Sequence, residues 1–460
     1  MRVEQDALGQ IEIEPDCAYG IQTSRAISNF QISGITLADN PQMVNALATV
    51  KLAAAKANMS VGALSAPKAQ EIIKSAEEII AGKHHEHFQV DMLQGGAGTS
   101  SNMNANEVIA NISLQRMGHK FGAYEHLHPN DDVNRSQSTN DVYPTAIRLA
   151  LLNSSGSMLN EYRLLRDALK GKATEFHDIV KVGRTQLQDA VPMTVGDEFS
   201  AFAATLSDNI GRVRQTRETL REVNLGGTAI GNGISAPNGY RELAVSKLSE
   251  VSGYDFYSAE NLFGATYDQG ALVLFSSALK SVAVKLSKIS SDLRLLSSGP
   301  RAGFGELHLP AMQAGSSIMP GKVNPVIPEV VNQVCYAVIG NDLTVTLAAE
   351  AGELQLNAME PVLLHRLLDS INLLENAMRT LRTRCIDGIT VDRERCQALF
   401  DGSLVLATEL ASHVGYDLAS SVAHHAKREG LGLMDAINSN SKISLDDLPA
   451  LTGQRTDHVT

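Results

Sequence analysis

The chain has 460 residues, of which 43% are hydrophobic and 20% charged, and its formal net charge is −12. This length and composition predict a soluble globular protein with a large core and more than one domain. A negative surface does not suit a phosphate backbone, so nucleic acid is excluded as the expected partner.

The termini and the cysteines indicate a cytoplasmic protein. The first six residues carry charges where a signal peptide needs an apolar stretch, and no uninterrupted apolar run approaches the roughly 18 residues of a membrane span. The four cysteines are scattered without metal-binding spacing, so we expect free thiols at Cys17, Cys335, Cys385 and Cys396. We therefore expect no membrane contact.

In chain order, helical patterning begins near residue 41 and continues to about residue 81. A glycine-rich polar stretch at 95–106 leads into a predicted helix at 105–114. A second polar cluster, at 129–140, precedes a predicted helix at 142–152. Both polar stretches have the composition of loops with Ser, Asn or Asp available as helix caps.

The strongest periodic pattern is an unbroken heptad of eight apolar residues, which predicts a helix about 35 Å long. These residues are Leu272, Phe275, Leu279, Val282, Leu286, Ile289, Leu293 and Leu296. A second apolar face comprises Phe202, Leu206, Ile210, Val213, Leu220 and Val223. Long helices of this kind predict a mainly α protein with a central helical bundle that can also pack against partner subunits.

Shorter amphipathic pieces at 391–405 and 417–429 follow the bundle and predict a small C-terminal domain. The expected organisation is therefore a mostly helical N-terminal domain at 1–140, a long-helix domain at 141–390 and a small helical domain at 391–460.

The most informative segment is GSSIMPGKVNP at 315–325, which combines two hydroxyls, a cation and an amide with two glycines and two prolines. Glycine allows close approach to a ligand, and proline fixes the backbone. The segment is not a phosphate-binding P-loop, because five residues separate Gly315 from Gly321 and Val323 follows Lys322. Its composition indicates a shaped loop that presents Ser, Lys and Asn to an anion.

Three further polar segments, at 95–104, 128–141 and 183–194, contain GGAGTSSNMN, HPNDDVNRSQSTND and GRTQLQDAVPMT. Together with residues 315–325 they resemble the four signature segments of the fumarase/aspartase superfamily, over nearly the whole chain but more weakly after about residue 401. The resemblance implies a mainly α, three-domain lyase. It also implies a homotetramer in which three subunits share each site, and a small dicarboxylate or amino-acid substrate.

The resemblance assigns a role to each candidate residue. Ser316 is the expected base. Thr99, Ser138, Thr139 and Ser317 are expected to bind the carboxylate that becomes an enediolate, and Lys322, Asn324 and Thr185 the other carboxylate. Asn140 completes a receptor for carboxylate and amine with Ser138 and Thr139. Such groups are needed because the carbanion is tolerable only when donors stabilise its charge on the carboxylate.

Gln186 bears on the leaving group. Fumarases typically have His at this position, and hydroxide benefits from a general acid, which a glutamine amide cannot be. A glutamine carbonyl can accept a hydrogen bond from an ammonium group. The sequence therefore favours deamination of aspartate, with fumarate hydration, a different amine substrate and a silenced structural protein as alternatives.

We expect no required cofactor and no metal in the site, and activation by a divalent cation is left open. Residues 84–87 read HHEH, but this short polar stretch between predicted helices has no evident distant ligand, so we do not expect a zinc site there.

Overall fold

The structure is a computed structural model that describes residues 1–439. The last part of the predicted C-terminal domain, residues 440–460, lies outside the described residues. The chain is 62% helical, which confirms the mainly α fold. In chain order the helices are α1 Ile21–Asn29, α2 Pro41–Ser60, α3 Ala66–Ile80, α4 Thr99–Arg116, α5 Thr139–Glu175, α6 Val195–Glu218, α7 Tyr240–Ser252, α8 Leu262–Tyr267, α9 Gly270–Leu296, α10 Val326–Glu350, α11 Glu360–Arg384, α12 Arg393–Asp401, α13 Ala407–Val414, α14 Tyr416–Glu429 and α15 Leu433–Asn438.

Within residues 1–439 the strands form four separate two-stranded sheets. Three pairs are antiparallel and one is parallel: β1 Arg2–Asp6 with β2 Gly9–Ile13, β3 Val180–Thr185 with β4 Gln188–Thr194, β7 Leu307–His308 with β8 Thr390–Val391, and the parallel β5 Glu222–Val223 with β6 Tyr257–Ser258. None of these strand pairs was predicted, because the apolar alternation in the sequence is too short to separate a strand from a loop.

The heptad of α9 is confirmed as a buried face. All eight of its apolar residues are buried, and the helix runs over 27 residues. Among the described residues α9 is the one helix long and apolar enough to cross a membrane by length and composition, with 44% of the apolar window buried. Core helices of soluble proteins meet the same criterion, so the test does not by itself assign α9 to a membrane.

Two predicted helix boundaries were wrong in the same direction. We expected helices at 105–114 and 142–152, whereas α4 begins at Thr99 and α5 extends over 37 residues from Thr139. Ser101, Asn102 and Thr139, which lie at these helix starts, are buried against other polar groups, so polarity did not mark a loop. Tertiary contacts here outweigh local propensity.

The described chain forms two compact units. Unit 1 contains residues 1–160, 209–284 and 334–375, and in it α2 packs on α3 and α7 while α1 and α3 pack on α4. Unit 2 contains residues 161–208, 285–333 and 376 onward, and in it α12 packs on β3 and α14 packs on α13 and α15. The division follows packing and does not test independent folding, so the three sequence-predicted domains stay a prediction.

Candidate active site

The first group of predicted site residues lies at the N-terminus of α5. The Ser138 hydroxyl accepts the Asn140 amide at 3.2 Å, and the Thr139 hydroxyl accepts the Asn102 side-chain amide at 3.1 Å. Asn140 Nδ2 donates to the Ala229 carbonyl at 2.8 Å. Because the N-terminus of a long helix favours negative charge, the three side chains lie where a carboxylate is stabilised.

A buried lysine lies beneath this helix start. Lys51, on α2, is fully buried, and its Nζ donates to Asn134 Oδ1 at 2.8 Å and to Gln137 Oε1 at 2.9 Å. Asn134 Oδ1 also accepts from Asn102 Nδ2 at 3.2 Å. The chain of contacts continues from Asn102 to Thr139, so Lys51 holds the segment that presents the site hydroxyls.

Asp141 is the second buried charge of this network. Its carboxylate accepts the backbone amide of Ser138 at 2.9 Å and those of Gly226 and Thr228 at 3.0 Å each. Burial raises the pKa of Asp141 to about 6, against the opposing effect of these amides. Burial also lowers the pKa of Lys51 to about 7, and the charge of Asp141 partly offsets that change.

Thr99 is the first residue of α4 and is exposed. Its hydroxyl donates to the Gly96 carbonyl at 2.7 Å, so the hydroxyl must rotate to donate to a substrate. The preceding turn has positive φ at Gly96, Ala97 and Gly98. A side chain at Gly98 would overlap the Tyr143 ring of α5. Glycine is therefore required where α4 begins against α5.

Thr185 and Gln186 lie at the tip of the β3–β4 hairpin. Thr185 pairs with Gln188, so Gln186 and Leu187 form a two-residue turn with φ values of 53° and 61°. Such primed turns match strand twist but usually contain Gly or Asn, so two other residues with positive φ carry local strain. Thr185 and Gln186 are both exposed in the single chain.

An ionic cluster holds the base of this hairpin. Glu306 is buried and lies 2.9 Å from Lys181 Nζ and 2.7 Å from an Arg184 guanidinium nitrogen. The Arg184 guanidinium also stacks over the Phe304 ring at 4.3 Å. A buried carboxylate between two cations fixes where the strand emerges, and hence where Thr185 and Gln186 are presented.

The loop at 315–325 is closed on itself. Gly315 N donates to the Lys322 carbonyl at 2.8 Å, and Asn324 Nδ2 donates to the Gly315 carbonyl at 2.7 Å. A side chain at Gly315 would overlap the Lys322 carbonyl. Asn324 therefore uses one of its two Nδ2 protons inside the loop, while Ser317 and Lys322 are exposed.

Ser316 is the centre of that loop. Its Oγ accepts the backbone amides of Ile318 at 3.2 Å and Met319 at 3.0 Å. Two amide donors directed at one hydroxyl oxygen stabilise negative charge on it. This arrangement suits a serine that has to lose its proton.

Thr99, Ser138, Thr139 and Asn140 thus belong to unit 1, and Thr185, Gln186, Ser316, Ser317, Lys322 and Asn324 to unit 2. A cavity of about 400 Å³ in unit 1 is lined by Glu4, Asp6, Glu107 and His128, among others, and by none of these ten residues. Their functional roles stay predictions.

Sequence reasoning missed the supporting residues Lys51, Asn102, Asn134 and Asp141. One signal was available for Lys51, which is the single charge in the mostly apolar run from Met43 to Ala55. A lone charge in a helix that is apolar all round has to be buried with partners.

A family model described as Lyase matches residues 9–340, which is most of the chain. The chain belongs to this lyase family, and the resemblance to the fumarase/aspartase superfamily is confirmed.

Within the family, the chain is similar to proteins named aspartate ammonia-lyase. It is 55% identical to the one from Pseudomonas aeruginosa, with 95% of this chain and 92% of that protein covered. It is 49% identical to the one from Escherichia coli strain K12, with 97% and 95% covered.

Solved structures agree in fold. A Brucella melitensis protein described as fumarate lyase:delta crystallin bound to cobalt is 53% identical, with a TM-score of 0.96 over 98% of both chains. A class II fumarase from Schistosoma mansoni is 35% identical, with a TM-score of 0.91 over 95% of both chains.

Proposed function

We propose that the protein is an aspartate ammonia-lyase, which eliminates ammonia reversibly from L-aspartate to give fumarate. The observation that carries an elimination is Ser316, whose Oγ accepts two loop amides and is thereby prepared for the alkoxide form. The near full-length similarity to proteins named for this activity supports the choice of substrate.

In the proposed reaction, Ser316 Oγ takes a proton from the carbon next to the amine-bearing carbon. The electron pair of that C–H bond moves onto the adjacent carboxylate, and hydroxyls of Thr99, Ser138, Thr139 and Ser317 stabilise the enediolate. The pair then returns to form the double bond while the C–N bond breaks. The nitrogen keeps its bonding pair and leaves as ammonia.

The other predicted residues orient the substrate. Lys322, Thr185 and Asn324 are proposed to hold the second carboxylate, and Asn140 and Gln186 to face the amine. Gln186 supports deamination over hydration because its carbonyl accepts from an ammonium group but cannot protonate a departing hydroxide. The reaction as written needs no cofactor.

We also propose a cytoplasmic homotetramer with sites shared between three subunits. The exposure of Thr99, Thr185, Gln186 and Lys322 in the single chain supports this, because a site for a dicarboxylate has to be enclosed. Four free thiols, at Cys17, Cys335, Cys385 and Cys396, support a reducing compartment.

Absorbance of the unsaturated product tests the proposal with L-aspartate, L-malate, N-methylaspartate and phenylalanine as separate sole substrates. Elimination from the first three gives fumarate, and elimination from phenylalanine would give cinnamate. We expect fumarate from L-aspartate and little from L-malate. Turnover of L-malate without turnover of L-aspartate would make the protein a fumarase. Preference for N-methylaspartate would instead indicate a relative with a different amine substrate.

A further inference from the structure

The segment that follows α3 brings three metal-ligating side chains together. His84, Glu86 and His87 each place one ligand atom within 4.8 Å of the others, and this is the one such group of three among residues 1–439. The separation between Glu86 Oε1 and His87 Nε2 is 3.7 Å. We propose that this group is a binding site for a first-row transition-metal dication such as Zn²⁺ or Co²⁺, separate from the predicted catalytic segments.

The backbone explains the spacing. Residues His85–His87 form a 3₁₀ turn, and His84 precedes it with φ of 67°. The His87 backbone N–H donates to the His84 carbonyl at 3.1 Å, which closes the turn and brings the two histidines close together. Their rings are stacked, with centroids 6.5 Å apart and planes at 17°. His85 is directed elsewhere, with Nε2 2.8 Å from the Ile79 carbonyl.

The turn is anchored on both sides. The His87 carbonyl accepts from the buried side chain of Asn104, on α4, at 2.9 Å. The next residue, Phe88, is fully buried, and its carbonyl accepts from Ala38 N at 2.9 Å. The two histidines therefore do not have to be ordered when a metal binds, which reduces the cost of binding.

A fourth residue orients His84. His84 Nε2 lies 3.0 Å from Glu78 Oε2, near the end of α3, and the other Glu78 oxygen pairs with Arg116. A carboxylate acceptor places the ring proton on Nε2 and leaves the lone pair on Nδ1 for a metal. Such carboxylate–histidine pairs commonly hold ligating rings in place.

The donor set decides the type of metal. Two imidazoles and one carboxylate suit Zn²⁺, Co²⁺ or Ni²⁺, whereas Mg²⁺ and Ca²⁺ prefer oxygen ligands throughout. Zinc bonds of about 2.0–2.1 Å bring tetrahedral ligands closer than 4.8 Å. Glu86 has the freedom to close that gap, because its side chain is 70% exposed, and solvent supplies the remaining position.

His87 has to present an unprotonated nitrogen. The Ala18 amide donates to its Nδ1 at 3.5 Å, a long contact that is lost when a metal on Nε2 places the ring proton on Nδ1.

Titration calorimetry of the full chain without a histidine tag tests the site, with ZnCl₂ and CoCl₂ as ligands and MgCl₂ as competitor. We expect one ion per chain, little competition by Mg²⁺, and a Co²⁺ absorption spectrum of low-coordinate nitrogen and oxygen ligands. His84→Asn and His87→Gln should each weaken binding by more than about tenfold.

His85→Gln is the matched control, because it removes a neighbouring imidazole outside the group. Glu86→Gln should also weaken metal binding. Because the Glu86 side chain is exposed, that loss cannot be ascribed to misfolding. Undiminished one-to-one binding in the His84→Asn/His87→Gln double variant would overturn the proposal, as would the absence of binding by the unmodified chain. Equal loss in His85→Gln would also overturn it.

Discussion

At the residue scale, the proposed chemistry depends on the state of Ser316. A serine hydroxyl is a weak base in water, and the two amides that donate to its Oγ lower the cost of the alkoxide. The loop keeps those amides in place through the Gly315–Lys322 and Asn324–Gly315 hydrogen bonds. Asn324 thus contributes by holding the base as well as through its predicted contact with substrate.

Replacement Ser316→Ala tests this residue. We expect the turnover number with L-aspartate to fall by roughly 10²–10⁴-fold or more, because the proton acceptor is lost while the loop hydrogen bonds between backbone groups remain. Steady-state fumarate formation measures the change. Ser28→Ala, which removes a hydroxyl on α1, is the control and should leave activity unchanged. Near-normal activity in Ser316→Ala would show that another group is the base.

The second residue-scale prediction concerns Lys51 and pH. Burial lowers the pKa of Lys51 from 10.5 to about 7. The unfolded chain therefore binds one more proton than the folded chain between these values, and the free energy of unfolding should rise as pH rises through this range. This gain in the free energy of unfolding is lost as pH falls through about 7, where the folded chain also protonates Lys51.

Denaturant unfolding near pH 7 and near pH 9 measures this effect. Between the two, the free energy of unfolding of the unmodified protein should rise by about 2 kcal/mol more than that of Lys51→Met. Lys74→Met, at an exposed lysine, should follow the unmodified protein. Parallel pH profiles for the unmodified protein and Lys51→Met would contradict the assignment.

At the element scale, the beginning of α4 depends on a close approach to α5. Gly96 and Gly98 both have positive φ, of 88° and 86°, so alanine is strained at either position. They differ in their surroundings, because a side chain at Gly98 overlaps the Tyr143 ring, whereas the nearest atom to one at Gly96 is 3.9 Å away.

The pair Gly98→Ala and Gly96→Ala separates strain from overlap. Both should lose about 1 kcal/mol of stability from the backbone. Gly98→Ala should lose about 1–3 kcal/mol more than Gly96→Ala, because the added side chain overpacks the contact with Tyr143. It should also lose more activity than Gly96→Ala, because the overlap displaces Thr99. Thermal unfolding and fumarate formation measure the two effects. Equal losses in the two variants would show that the Tyr143 contact does not position α4.

At the scale of the whole molecule, α10 carries an apolar face that the single chain leaves exposed. Tyr336, Leu343 and Leu347 are each at least 60% exposed, and Ile339 and Val330 lie along the same helix with partial exposure. Large contiguous apolar surfaces on soluble proteins usually mark interaction sites. The α10 face is therefore consistent with the proposed homotetramer.

Replacement of Leu343 and Leu347 by Glu tests the assembly. We expect the double variant to sediment as a smaller species and to lose activity, because charges on a helix-packing face disfavour association and the proposed site needs three subunits. Sedimentation velocity and fumarate formation provide the two readouts. Leu8→Glu, at an 80% exposed leucine in the β1–β2 turn, is the control. A tetramer that persists in the double variant would show that α10 lies outside the interface.

The sequence by itself determined the long buried stripe of α9, the mainly α class and the four segments that indicate the superfamily. A heptad repeat and a distinctive loop are local patterns, so they can be read without knowing the fold. The sequence did not determine where α4 and α5 begin, and it did not predict the β3–β4 hairpin that carries Thr185 and Gln186.

Only the tertiary structure placed Lys51 and Asp141 under the start of α5, two amides on Ser316, and Glu78 beside His84. These partners are far apart in sequence or depend on exact loop closure. Burial turns each such contact into an energetic requirement, because a charge or amide removed from water must find a partner. Which residues become partners is decided by the folded chain, so a local sequence pattern cannot predict it.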